Sequence, residues 1–146
     1  MKVIDFIVCD DIRQEVGNKL TVVGIYNDRV KIETMNPSAL QFPIPFRLGV
    51  FVRLLVEKND NCPDEIAFVL SVKHNGEDLF RADGNAQIAN RPVGSDHVIV
   101  GVPLLANILP IKGAGMLEFD LTVNSGGKKL LSYRPDYDFE IEIVQK

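Results

Sequence analysis

In residues 46–56, six apolar side chains, Phe46, Leu48, Val50, Val52, Leu54 and Val56, recur at strict period two. Successive side chains of an extended chain point to opposite faces, so this stretch predicts a strand with one face buried. Its other face reads Arg47, Gly49, Phe51, Arg53, Leu55 and Glu57, the mixture expected of a sheet covered on one side and wet on the other.

The signature returns at Ile4, Phe6 and Val8; at Ile66, Phe68, Leu70 and Val72; at Leu117, Phe119, Leu121 and Val123; and at Phe139, Ile141 and Ile143. Residues 20–26, 80–88 and 98–102 also read as strands. Their neighbours on both faces are apolar or small, which places them nearer the middle of the fold. No window carries apolar residues at helical spacing, so no long helix is expected, only short helical turns at residues 37–40 and 103–109. Neither a repeat nor a polar linker divides the 146 residues. Strands with one wet face must press their apolar faces together in pairs of sheets. The expectation is therefore a single all-β domain over residues 1–146, an antiparallel, immunoglobulin-like β-sandwich of about eight to nine strands.

Turn chemistry sharpens the pairing. A two-residue Asn75-Gly76 loop would set Leu70 against Arg81, so a three-residue loop of His74, Asn75 and Gly76 is expected, with Leu70 facing Phe80 and Phe68 facing Ala82. Further hairpins are expected at Gly17-Asn18 and at Ser125-Gly126-Gly127.

Sixteen basic against twenty acidic residues give a formal net charge of −4. No positive field gathers nucleic acid or anionic lipid, and neither is an expected partner. Arg47, Phe51 and Arg53 approach the interleaving that single strands require, but one strand face is too little. No uncharged apolar run reaches the roughly 18 residues that span a bilayer. Asp5 and Asp10 interrupt the opening run before it attains the length of a signal-peptide core. Cys9 and Cys62 lie far apart with no metal-type spacing and read as free thiols of a reducing compartment, so a cytoplasmic location is expected.

Catalytic signatures are missing. The available bases are His74, expected to be solvated at a hairpin tip, and His97. Ser95-Asp96-His97 holds the residue types of a triad, but contiguous residues on an extended chain point to alternate sides. Acidic loops at Asp10-Asp11, at Asn59-Asp60-Asn61 with Asp64-Glu65, and at Asp136 and Asp138 match no calcium loop; Asp136 and Asp138 would be the ligands if calcium bound. No cofactor and no metal is expected. With Trp absent and three scattered tyrosines, no aromatic platform for carbohydrate is visible either.

Two stretches are too apolar for simple connections: residues 35–45, with Met35, Leu40, Phe42 and Ile44, and residues 98–111, with Leu104, Leu105, Ile108 and Leu109. One reading has them plug the open ends of the sandwich; the other makes them a contact surface for another chain, including a second copy. Leu40, Phe42, Leu105 and Ile108 are the contact candidates. Arg13, in the charged cluster Asp10, Asp11, Arg13 and Glu15, joins them as a fork for a partner's carboxylate or phosphate, its structural alternative being a local ion pair.

The opening from Cys9-Asp10-Asp11-Ile12-Arg13 through Gly17-Asn18-Lys19 to Val23-Gly24-Ile25-Tyr26 resembles the N-terminal signature of a family of small uncharacterised bacterial proteins, some phage-associated. The closing strands at residues 115–123 and 139–143 look like those of immunoglobulin-like sandwiches. The resemblance implies no activity and carries over no catalytic residue. The first reading is thus a non-catalytic binding or assembly module, with a calcium-dependent binding module and an enzyme with an unrecognised site as alternatives.

Overall fold

The period-two row is the floor of the core: Leu48, Val50, Val52, Leu54 and Val56 are each at most 2% exposed. In the computed structural model, which describes residues 1–57, 64–88 and 94–146, ten strands follow one another. They are β1 (Lys2–Glu15), β2 (Lys19–Tyr26), β3 (Arg29–Thr34), β4 (Ile44–Glu57), β5 (Glu65–His74), β6 (Glu77–Gln87), β7 (His97–Ile111), β8 (Gly115–Ser125), β9 (Lys128–Tyr133) and β10 (Phe139–Gln145). The fold is all-β, with a 3₁₀ turn at Pro37–Ala39 in the place of a helix.

Two sheets form. One is four-stranded in the order β2-β1-β4-β7; the other is six-stranded in the order β3-β10-β8-β5-β6, with β9 also paired to β8. Their apolar faces meet in one cluster that takes Val8, Val52 and Val102 from the first sheet and Leu70, Leu121 and Ile141 from the second. Rings knit the two together. Phe119 stands edge-on to Phe6 at 5.6 Å and to Phe139 at 5.7 Å, and Phe139 stands edge-on to Tyr26 at 6.1 Å. Such pairs add about 0.5–1.5 kcal/mol beyond the area they bury.

Several expectations are corrected. The described residues hold ten strands, not eight to nine, because residues 29–34 form a further strand, β3. That strand also makes the sandwich less than wholly antiparallel: β10 pairs β3 in parallel, setting Ile141 beside Val30 and Ile143 beside Ile32. Residues 103–109 are not a helical turn but part of β7, which runs unbroken from His97 to Ile111. Pro103 and Pro110 fit because β7 is an edge strand, where a missing N–H costs no ladder bond. β2, β6 and β7 all lie at sheet edges rather than in the middle. In β7 the second apolar row covers the outside of the sheet instead of entering the interior.

The hairpin after β5 has a two-residue turn, Asn75 and Gly76 at φ 50° and 81°, with His74 opposite Glu77. A register shift between Val72 and Lys73 then sets Val72 against Phe80, Leu70 against Ala82 and Phe68 against Gly84. The parity problem is real, but the extra residue sits in the strand as a bulge, not in the loop. The Gly126-Gly127 hairpin does the same, with a shift between Val123 and Asn124.

Candidate functional site

Alternation that sends one row of a strand inward sends the other outward, and the two sheets differ in what they send out. On the six-stranded sheet the outward rows carry Ala67, Val69, Ser71 and Lys73 of β5, Arg81, Asp83 and Asn85 of β6, and Glu118, Asp120, Thr122 and Asn124 of β8, so polar side chains surround the two apolar ones. Arg134 grips Asp120 there with two bonds of 2.9 and 2.8 Å. That face is an ordinary wet surface.

On the four-stranded sheet the outward rows are greasy. Register aligns Ile7 of β1 with Phe51 of β4 and Pro103 of β7; Cys9 with Gly49 and Leu105; and Leu55 with Ile99. Ile99 is 49% exposed, while Ile7, Phe51, Leu55 and Leu105 are half-buried by one another. The Phe51 ring lies over Gly101, 3.3 Å from where a Cβ would stand. Gly49 plays the matching part beneath Ile12: a Cβ there would meet Cys9 Sγ at 2.8 Å and the Ile12 side chain at 3.1 Å. Ile12 thereby levels the dip at Gly49. Cys9 is fully buried, and burial pushes its thiol up to about 11, so it is not nucleophilic.

Charge on this face is paired. Arg53 of β4 hydrogen-bonds Asp5 of β1 across the ladder. Arg47 of β4 reaches Asp11 of β1 at 2.6 Å, and Arg13 holds the second oxygen of Asp11 at 3.0 Å. The Arg13 bond, with Arg47 beside it, keeps the Asp11 carboxyl below the usual carboxylate range. The two arginines that suggested a nucleic-acid strip are thus each engaged by a carboxylate.

The contact candidates separate. Leu105 lies on the greasy face, and Arg13 adjoins it through Asp11 and Arg47. Ile108, 71% exposed, stands where the β4–β7 register shifts between Phe46 and Leu48. Leu40 is half-buried after the 3₁₀ turn, and Phe42 is exposed just before β4. Residues 35–45 do not plug the sandwich, since Met35 is 80% exposed and the 3₁₀ turn buries nothing. Sequence reasoning missed Ile7, Phe51, Leu55 and Ile99 as a set. They stand on three strands, and only the register brings them together.

The chemical alternatives find little to build on. His74 is not solvated at a tip: it ends β5 on the inward row, is 6% exposed, and its Nε2 has no hydrogen-bond partner among the described residues. Ser95 Oγ donates to the His97 carbonyl at 2.6 Å and accepts from the His97 N–H, a backbone turn rather than a relay. Asp136 and Asp138 are exposed, and among the described residues no three His, Cys, Asp or Glu side chains gather as metal ligands. Cys62 and the Asn59-Asp60-Asn61 loop lie outside the described residues. The cavity between the sheets at Leu48, Leu70 and Leu104 measures about 10 Å³, room for one water. No described helix is long and apolar enough to cross a membrane.

Compared with known proteins, the chain matches no family model and no curated sequence.

Proposed function

We propose that the chain is a non-catalytic binding or assembly module of the bacterial cytoplasm, an immunoglobulin-like sandwich that docks a protein through the outward face of its four-stranded sheet. One observation carries this reading: a single chain solvates one outer face with Ser, Lys, Asp and Asn while covering the other with Ile7, Phe51, Leu55, Ile99, Pro103 and Leu105. A contiguous outward apolar strip of this kind, partly exposed and rimmed by charged residues, marks interaction sites in soluble proteins.

Site-specific photo-crosslinking in expressing cells tests it. A crosslinker replacing Ile99 on the greasy face is expected to capture protein; one replacing Asp83 on the polar face is not. Equal capture from both positions, or none from residue 99, overturns the reading.

A further inference from the structure

The charges on the greasy face stand in an order that selects an occupant. Asp5 and Arg53 are ladder partners on β1 and β4. The β1–β4 ladder ends at Cys9 opposite Gly49, and just beyond that end Asp11 of β1 and Arg47 of β4 make their 2.6 Å ion pair. In both cross-strand pairs the acid is on β1 and the base on β4, with Arg13 of β1 a second partner of Asp11. Between the two charged rungs lie two apolar ones, Ile7 with Phe51 and Cys9 with Gly49, the latter levelled by Ile12.

We infer that the occupant is a second copy of this chain, packed sheet on sheet about a two-fold axis that runs along the strands between β1 and β4; this rests on the docking role proposed above. Rotation about such an axis exchanges the positions of β1 and β4. Each Asp5 then lies over the other copy's Arg53, each Asp11 over its Arg47, and the apolar rungs meet between them. The face is self-complementary in charge, which an isologous contact requires. It also escapes the repulsion that a net charge of −4 would otherwise impose on two copies, because its acids and bases nearly cancel.

Packing through the face is favoured over adding a strand at the β7 edge. Pro103 and Pro110 offer no N–H there, and the register shift opposite Arg47 breaks the edge near Ile108. Strand spacing and rise give the face roughly 600 Å² per copy, a total near the lower bound of standard interfaces, so a reversible dimer is expected.

Sedimentation of the whole purified chain with paired variants decides. Arg53→Glu leaves an all-acidic rung and Asp5→Lys an all-basic one. Each alone is expected to dissociate at least about tenfold more readily than the wild type, because like charges then face each other across the axis. Mixed one to one, they are expected to form a mixed dimer as strong as the wild-type one or stronger, weakening with salt; this rescue also shows that both variants fold. A wild-type chain that stays monomeric at every concentration overturns the inference, as does a dimer indifferent to both substitutions or a mixture that remains monomeric. If the wild type is monomeric while residue 99 still crosslinks a different protein in cells, the second copy is excluded and the docking role stands. If residue 99 crosslinks nothing, the docking role fails as well.

Discussion

Asn75 at the tip of one hairpin accepts the Met116 amide at 2.9 Å, while its own amide nitrogen donates to the Ala114 carbonyl at 3.2 Å. Its backbone N–H also donates to the Met116 carbonyl at 2.9 Å. One residue therefore serves as the left-handed first position of a tight turn and as the clamp that starts β8. Gly115, at φ 144°, has no side chain because the Asn75 amide fills the space where a Cβ would stand.

Asn75→Ala is accordingly expected to cost about 1–2 kcal/mol, from two lost side-chain hydrogen bonds and a residue less suited to positive φ. Urea denaturation checks it: the midpoint should fall with the slope unchanged. An unchanged midpoint would show that the clamp holds nothing.

Gly49→Ala should destabilise by about 1–3 kcal/mol, since the new methyl must displace Cys9 Sγ or Ile12. The thiol reports this independently. In the native wild type Cys9 is expected to react with thiol reagents only on unfolding, given its burial and its raised pKa of about 11. In Gly49→Ala it should react faster. With Cys62 replaced by Ser, the comparison reads Cys9 alone.

Phe139→Ala removes the ring that joins Phe119 of β8 to Tyr26 of β2, and so couples the two sheets. A loss of about 3–5 kcal/mol is expected. Phe139→Leu should retain more than half of the stability that Phe139→Ala loses, as measured by thermal and denaturant unfolding.

His74 makes stability depend on pH. Burial lowers its pKa from 6.5, Lys112 adds to the effect, and Glu77 and a hydrogen bond with the Gly113 backbone oppose it. The folded state thus binds the proton less readily than the unfolded one. Stability from the neutral ring is complete above pH 6.5 and is lost as the pH falls through the lower folded value. The denaturation midpoint of the wild type should fall below pH 6.5, and His74→Leu should flatten that slope. An equal slope in both proteins would assign the acid sensitivity elsewhere.

The core was legible because burial repeats with the strand period: each inward residue read from β4, β5 and β8, from Leu48 to Val123, lies in the apolar cluster. β3 escaped notice although Val30, Ile32 and Thr34 alternate with Arg29, Lys31 and Glu33. Six residues are a short signal, and their partner lies at the other end of the chain. β7 is hard to read from sequence for the same reason that it shapes the outer face. Both of its rows are apolar, which blurs alternation, and its two prolines suggested a break that an edge strand tolerates. The greasy face was hidden because Ile7, Phe51 and Ile99 are far apart along the chain, so no local pattern could show them adjacent. The arginines at 47 and 53 were visible, but their acids were not, because a cross-strand partner follows from register and not from spacing.

The parallel pairing of β3 with β10 sets an order on biosynthesis. Arg29 and Glu142, which bond at 2.7 Å, are 113 positions apart. A ribosome makes β3 early, yet the strand beside which it belongs emerges only after β4 through β9 have left the exit tunnel. Until then Val30 and Ile32 lack the strand they pair beside in the finished fold. A nascent chain halted before residue 139 would therefore lack the strand that covers this edge, and would display it to whatever chaperone or neighbouring polypeptide met it first.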